Sequence, residues 1–230
     1  MMDDFTIVDD RLHGALDQLR WVNRLLGGYR ATMAALAPYL RHARGRSVRL
    51  LDLGTGVADF PEFVVRWAAR RGLDVSVVGI DANEATVAYA DAVLDRRLPS
   101  ALRSRVALRV ADALALPYGD DSFDVVVCSL FLHHFEDQEA VALLKEMARV
   151  ARDGVVVNDL HRHPLAYASI RALVHVLPVS AMFRHDGPVS VLRAFRGDEL
   201  AALAAAAGLP GARLTWHWAF RWVLSTIEEG

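Results

Sequence analysis

The chain has 230 residues, 26 basic and 28 acidic side chains, a formal net charge of −2 and one cysteine, Cys128. That length supports one substantial α/β domain rather than two independent cores. The balanced charge argues against electrostatic tracking of nucleic acid, and a lone cysteine excludes an intrachain disulfide or a cysteine-based metal site.

The N-terminal segment Met1–Phe5 is acidic and lacks the basic-then-apolar plan of a secretory signal. No uninterrupted apolar stretch reaches the ~18 residues of a membrane span. A cytoplasmic protein is expected. Leu12, Leu16, Leu19, Val22 and Leu26 recur at helical spacing, which predicts a helix from about Asp10 to Leu26, stopped by Gly27-Gly28. A second helix is expected over Tyr29–Arg41. Aliphatic runs then read as strands at Val48–Leu53, Val75–Ile80, Val106–Val110, Val125–Ser129 and Val155–Asn158, with Cys128 inside the fourth run as a buried, inert thiol. Helical patterns separate them near Phe60–Arg71, Glu84–Arg96 and Asp137–Val150. Strands alternating with helices of this length imply right-handed crossovers and a parallel sheet covered on both faces. Pro164–Phe195 interrupts the alternation with an apolar segment carrying scattered arginines. A late helix is expected at Asp198–Ala207, and Ala212–Ile227 reads as a hairpin at the sheet edge.

Ligands of open α/β sheets bind outside the carboxyl ends of the strands. The first strand ends in Asp52-Leu53-Gly54-Thr55-Gly56-Val57-Ala58-Asp59, a turn whose glycines let backbone approach a ligand closely. The dinucleotide fingerprint is G-x-G-x-x-G, and here the third glycine slot holds Asp59. A carboxylate there disfavours a pyrophosphate and suits a nucleoside without phosphate. This argues against a nicotinamide-dependent hydride transferase. Asp81 ends the second strand and can accept two hydrogen bonds from ribose hydroxyls; Asp112, after the third, can accept from an adenine amine.

These segments, with Gly79-Ile80-Asp81-Ala82-Asn83, Ala111–Tyr118 and Asp121–Val127, resemble the motifs of class I S-adenosylmethionine-dependent methyltransferases in order and spacing, over roughly residues 48–160. The finer likeness is to small-molecule enzymes of the quinone and phenol type. The resemblance implies a Rossmann-like, doubly wound seven-stranded sheet with its last strand antiparallel, preceded by N-terminal helices. It implies a single domain: helices over 1–46, a cofactor core over 47–160, an acceptor or lid insert over 161–196, and a final helix and hairpin over 197–230. The cofactor is expected to be S-adenosylmethionine, held by Asp52, Gly54, Thr55, Gly56, Asp59, Asp81, Ala82, Asp112, Ala113 and Ser129. Gly54 and Gly56 would face its methionine, Asp81 its ribose and Asp112 its adenine. Many relatives carry a further glycine where this chain has Val57-Ala58, which implies a slightly tighter pocket.

Transfer to a hydroxyl needs a base near neutral pKa, and histidine is the usual choice. The candidates are His133 after the fourth strand, His161 after the fifth and His185 in the insert. Asp159, His161 and His163 cluster at one strand end, where hydrogen bonding is the simpler reading than a metal, and no metal is expected. The function expected is O-methylation of a small apolar, aromatic or polyketide-type acceptor. Carbon- or nitrogen-directed transfer and a non-catalytic cofactor-binding subunit are the alternatives. No nucleic-acid partner or membrane span is expected, and the sequence leaves monomer or homodimer open.

Overall fold

The computed structural model describes residues 28–176 and 179–228. The helix expected over Asp10–Leu26 lies outside them. Helix α1 (Gly28–His42) leads into β1 (Ser47–Leu53), followed by α2 (Asp59–Ala69), β2 (Asp74–Asp81), α3 (Glu84–Arg97), the short α4 (Ser100–Arg103) and β3 (Val106–Val110). The chain then returns to the sheet centre with β4 (Phe123–Ser129), a 3-10 turn (Leu132–His134), α5 (Asp137–Val150) and β5 (Ala151–Leu160). Helices α6 (Pro164–Val176), α7 (Ala181–Arg193) and α8 (Gly197–Ala206) precede the hairpin β6 (Arg213–His217) and β7 (Arg221–Ser225).

The seven strands lie in the order β3-β2-β1-β4-β5-β7-β6. The first five are parallel, and β7 runs antiparallel between β5 and β6. Strand order reverses between β1 and β4, where Leu53 sits opposite Cys128. A crevice opens at such a switch point, because the loops leave in opposite directions. Burial explains the centre: Val125, Val126, Val127 and Cys128 are wholly sealed, since helices cover both faces. One face packs Leu36 and Leu40 of α1, Val64 of α2 and Leu94 of α3 on Leu50, Val77 and Val127. The other packs Leu143 and Met147 of α5 and Leu200 of α8 on Leu51, Val126 and Val157.

Helix starts are set locally. Asn83 accepts from the Thr86 N–H ahead of α3, and the Glu199 carboxylate accepts from the Arg196 N–H at α8. Two elements differ from the sequence reading. β5 extends from Ala151 to Leu160, beyond the apolar run Val155–Asn158, because its charged start is exposed and anchored by an Arg152–Asp124 ion pair at 3.2 Å. The 164–195 segment forms two helices packed on each other, with Phe183 of α7 and Val174 of α6 buried together.

Candidate active site

The turn after β1 is held by interlocking contacts at the carboxyl ends. Gly54 and Gly56 have φ of +63° and +51°. A Cβ at Gly54 would lie 2.4 Å from Phe131 Cγ, so the turn is packed shut against the loop after β4. At Gly56 a Cβ would meet nothing within 4 Å. The backbone there borders open space, a cradle for a ligand rather than a packing constraint. Thr55 donates from its backbone to Ile80 O (2.8 Å) and from its hydroxyl to Asp52 Oδ2 (2.7 Å). Gly79 in β2 makes room for that hydroxyl, since a Cβ would come 2.6 Å from it. Ala58, buried at the start of α2, adopts a left-handed φ of 55°. That conformation is one a glycine takes without cost, which fits the further glycine expected of relatives where this chain has Val57-Ala58.

Asp81 reaches back from β2: its Oδ2 accepts from the Gly56 N–H (3.1 Å) and its Oδ1 from the Asn83 N–H (3.0 Å). Burial pushes the Asp81 carboxyl up, while those two backbone donors pull it down. Asp52 is more extreme. Burial lifts it to about 8, with the charges of Asp59 and Asp81 adding to the rise and the Thr55 hydroxyl opposing it. Asp59 opens α2 and accepts from Tyr29 Oη. Asp112 lies exposed after β3, its Oδ1 accepting from the Leu114 N–H (2.9 Å), and Ala113 beside it is buried. Ala82 is exposed between Asp81 and Asn83. The rim from β1 to β3 is therefore acidic, which suits a cationic nucleoside and repels phosphate. The open cradle at Gly56 and these carboxylates fit S-adenosylmethionine.

At β4 and β5 the chemistry changes. Ser129 Oγ lies 3.1 Å from Thr32 Oγ1 on α1, and Asn158 Nδ2 donates to Thr32 Oγ1 (2.9 Å) and Gly28 O (3.0 Å). These bonds pin the start of α1 over the strand ends. His133 is 5% exposed and its Nδ1 is 2.7 Å from Oδ1 of the wholly buried Asp159. Asp159 also accepts from the backbone N–H groups of His133 (3.1 Å) and Leu160 (2.7 Å). The adjacent imidazole and these donors hold its carboxyl below the usual range despite burial. His133 Nε2 has no hydrogen-bond partner. A cavity of about 890 Å³ opens beside it, bordered by His134, Phe135, Arg162, Phe195 and Leu203.

The other two histidines stand apart from this pair. His161 Nδ1 faces Trp216 Nε1 at 3.2 Å, and its ring packs against His163 and Trp222; burial and His163 pull its pKa down. His185 is exposed on α7, 2.9 Å from Asp186 Oδ1. Sequence reading did not single out Thr32, Asn158 or Arg221, and it weighed Asp159 only beside His161 and His163. An acid closing an apolar strand was a usable signal for Asp159; nothing local marks Thr32 or Arg221. Arg221, at the start of β7, is 2% exposed, and burial draws its guanidinium down to about 10 while the Asp159 charge supports it. Among the described residues no three His, Cys, Asp or Glu side chains converge as a metal site, and no helix is long and apolar enough to cross a membrane.

A methyltransferase domain model matches residues 50–154. The chain is 37% identical over 145 residues to demethylmenaquinone methyltransferase from Roseiflexus sp. (strain RS-1), covering 61% of this chain and 53% of that protein. It is 41% identical over 106 residues to 27-O-demethylrifamycin SV methyltransferase from Amycolatopsis mediterranei (strain S699), covering 46% and 35% respectively. The matches thus span between about a third and about half of these relatives. Among solved structures, magnesium protoporphyrin IX methyltransferase from Synechocystis PCC 6803, with bound SAH, superposes with a TM-score of 0.61 at 16% identity, over 92% of this chain and 94% of that one. That likeness extends the shared fold well beyond the matched segment. Residues 50–154 thus match a methyltransferase domain, and the fold around them is shared with solved S-adenosylmethionine-dependent methyltransferases.

Proposed function

We propose that the protein transfers the methyl group of S-adenosylmethionine to a hydroxyl of a small apolar, aromatic or polyketide-type acceptor, with His133 as general base. S-adenosylmethionine supplies an electrophilic methyl on a sulfonium. The chain's own work is to align the acceptor and take up its proton. Alignment alone contributes on the order of 7–11 kcal/mol of barrier lowering.

The His133–Asp159 pair carries the reading. Asp159 fixes the tautomer with the proton on Nδ1, which leaves the Nε2 lone pair to receive a proton from the acceptor hydroxyl. The buried carboxylate then stabilises the imidazolium that forms. His161 and His185 have no buried carboxylate partner among the described residues, so His133 is preferred to both. The acceptor lies over the ends of β4 and β5, between α1 and the two-helix insert. We place the enzyme in the cytoplasm and give it no nucleic-acid partner, in keeping with its balanced charge.

Transfer to carbon is the second reading, supported by the similarity to a demethylmenaquinone methyltransferase. His133 would then ionise a hydroxyl beside the accepting carbon. The test is methyl transfer from labelled cofactor to a panel of phenolic and polyketide hydroxyl compounds, with the product carbon or oxygen assigned by NMR. His133→Ala and Asp159→Asn should each lower transfer by roughly 10²–10⁴-fold, with affinity for S-adenosylhomocysteine kept within about twofold. Full turnover by His133→Ala, or loss of transfer in His161→Ala or His185→Ala instead, would remove His133 from the role.

A further inference from the structure

Among the described residues, buried side-chain nitrogens and oxygens without a hydrogen-bond partner occur at four positions: His133 Nε2, Asn158 Oδ1, Nε and Nη1 of Arg221, and Trp222 Nε1. All four sit at one end of three adjacent strands. His133 follows β4, Asn158 is near the end of β5, and Arg221 and Trp222 begin β7, which runs back along β5. Buried polar groups are normally satisfied, and an unpaired buried guanidinium is among the most costly exceptions. Their concentration where ligands of such sheets bind points to a molecule that completes these bonds.

Arg221 is the strongest of them. Asp159 is its charged neighbour, but the Asp159 oxygens already accept from His133 and Leu160. The register decides what it faces. Leu160 pairs with Arg221 and Asn158 with Val223, and side chains alternate along each strand. Val156 and Val223 pack on the α1 side of the sheet, while Val157 and Leu224 pack on the α5 and α8 side. Arg221 and Asn158 therefore project to the α1 side as diagonal neighbours, about 7–8 Å apart. Asn158 is fixed in orientation by its bonds to Gly28 O and Thr32, and Thr32 reaches Ser129 at the end of β4. The pair thus lies near the strand ends on the α1 face, while Asp159, the partner of His133, points to the other face.

We propose that Arg221 and Asn158 recognise the acceptor, which is a small aromatic hydroxy acid reaching over the end of β5: its carboxylate accepts from the Arg221 guanidinium, a second hydroxyl donates to Asn158 Oδ1, and the hydroxyl that gives its proton to His133 is a different one. This rests on the methyl-transfer reading and names the substrate class within it. A guanidinium held in a dry site discriminates strongly for a carboxylate over its neutral amide, because only the former offers charge-assisted bonds.

The test is calorimetry on the full chain loaded with S-adenosylhomocysteine, titrated with salicylate and with its neutral analogue salicylamide. Salicylate should bind at least about tenfold more tightly. Arg221→Gln should abolish that preference while keeping S-adenosylhomocysteine affinity within about twofold, and Arg221→Lys should keep part of it. The comparison of the two probes on wild-type protein stands even where Arg221→Gln does not fold. Equal binding of the probes, undetectable salicylate binding, or a preference that survives Arg221→Gln would overturn the proposal and leave ordered water as the partner of Arg221. Failure to bind S-adenosylhomocysteine at all would instead overturn the methyl-transfer reading beneath it.

Discussion

A methyl group added at Gly54 would stand 2.4 Å from the Phe131 ring, on a backbone held at a φ of +63°. Neither constraint yields easily, because Phe131 is itself packed edge-on against Phe135. Gly54→Ala should therefore lower stability by roughly 2–4 kcal/mol, read by chemical denaturation. Gly56→Ala meets only left-handed strain, about 1–2 kcal/mol, and should instead reduce affinity for the cofactor whose cradle it fills. Equal stability losses for the two variants would contradict this division. Asp52 yields a pH prediction from the same turn. Its carboxyl is raised from 3.8 to about 8 in the fold, so between those values the folded chain holds a proton that the unfolded chain has lost. Stability from this group is complete below about pH 4 and declines as pH rises toward 8, with a slope of at most about 1.4 kcal/mol per pH unit. Asp52→Asn should flatten the stability profile relative to wild type across that window; an identical slope in both proteins would show that Asp52 is ionised in the fold.

Helix α1 contributes to the site through a few bonds rather than through a catalytic group. Thr32 links Ser129 to Asn158, and Tyr29 on the same helix reaches Asp59. Thr32→Val keeps the shape but removes both hydroxyl links, and should destabilise the protein by about 1–3 kcal/mol. An unchanged denaturation midpoint would mean that α1 is held by its apolar face alone. Elements such as α1 also show what was legible beforehand. Its length and position follow from helical spacing, and β1 to β5 follow from their aliphatic runs, because burial on both faces demands continuous apolar residues. The extra length of β5 was hidden, since Arg152 and Asp153 at its start are charged and exposed. So was the split of the insert into α6 and α7, where apolar residues contact each other rather than the sheet. Gly54, Gly56, Asp81 and Asp112 could be read from position because strand ends are predictable. Thr32, Asn158 and Arg221 could not, because their roles depend on which strands and helices become neighbours in space.

Charge is distributed unevenly between the two ends of the sheet. At the amino end the buried Asp124 is paired with Arg46 (3.0 Å) and Arg152 (3.2 Å) and accepts from the Arg49 N–H (2.6 Å), a satisfied structural cluster. At the carboxyl end, acids dominate from β1 to β3, while an imidazole and a guanidinium with open hydrogen-bond capacity stand at β4 and β7. This polarity matches a cationic cofactor on one half and the acidic acceptor proposed above on the other. We propose that the acidic half binds the cofactor through Asp81 and the glycine turn. Calorimetric titration with S-adenosylhomocysteine tests it most directly: wild-type protein should bind one equivalent, and Asp81→Ala should weaken binding by roughly 10–100-fold, the loss of about two hydrogen bonds to a carboxylate. No binding by the wild-type chain, or equal binding by Asp81→Ala, would rule out a cofactor site built on Asp81.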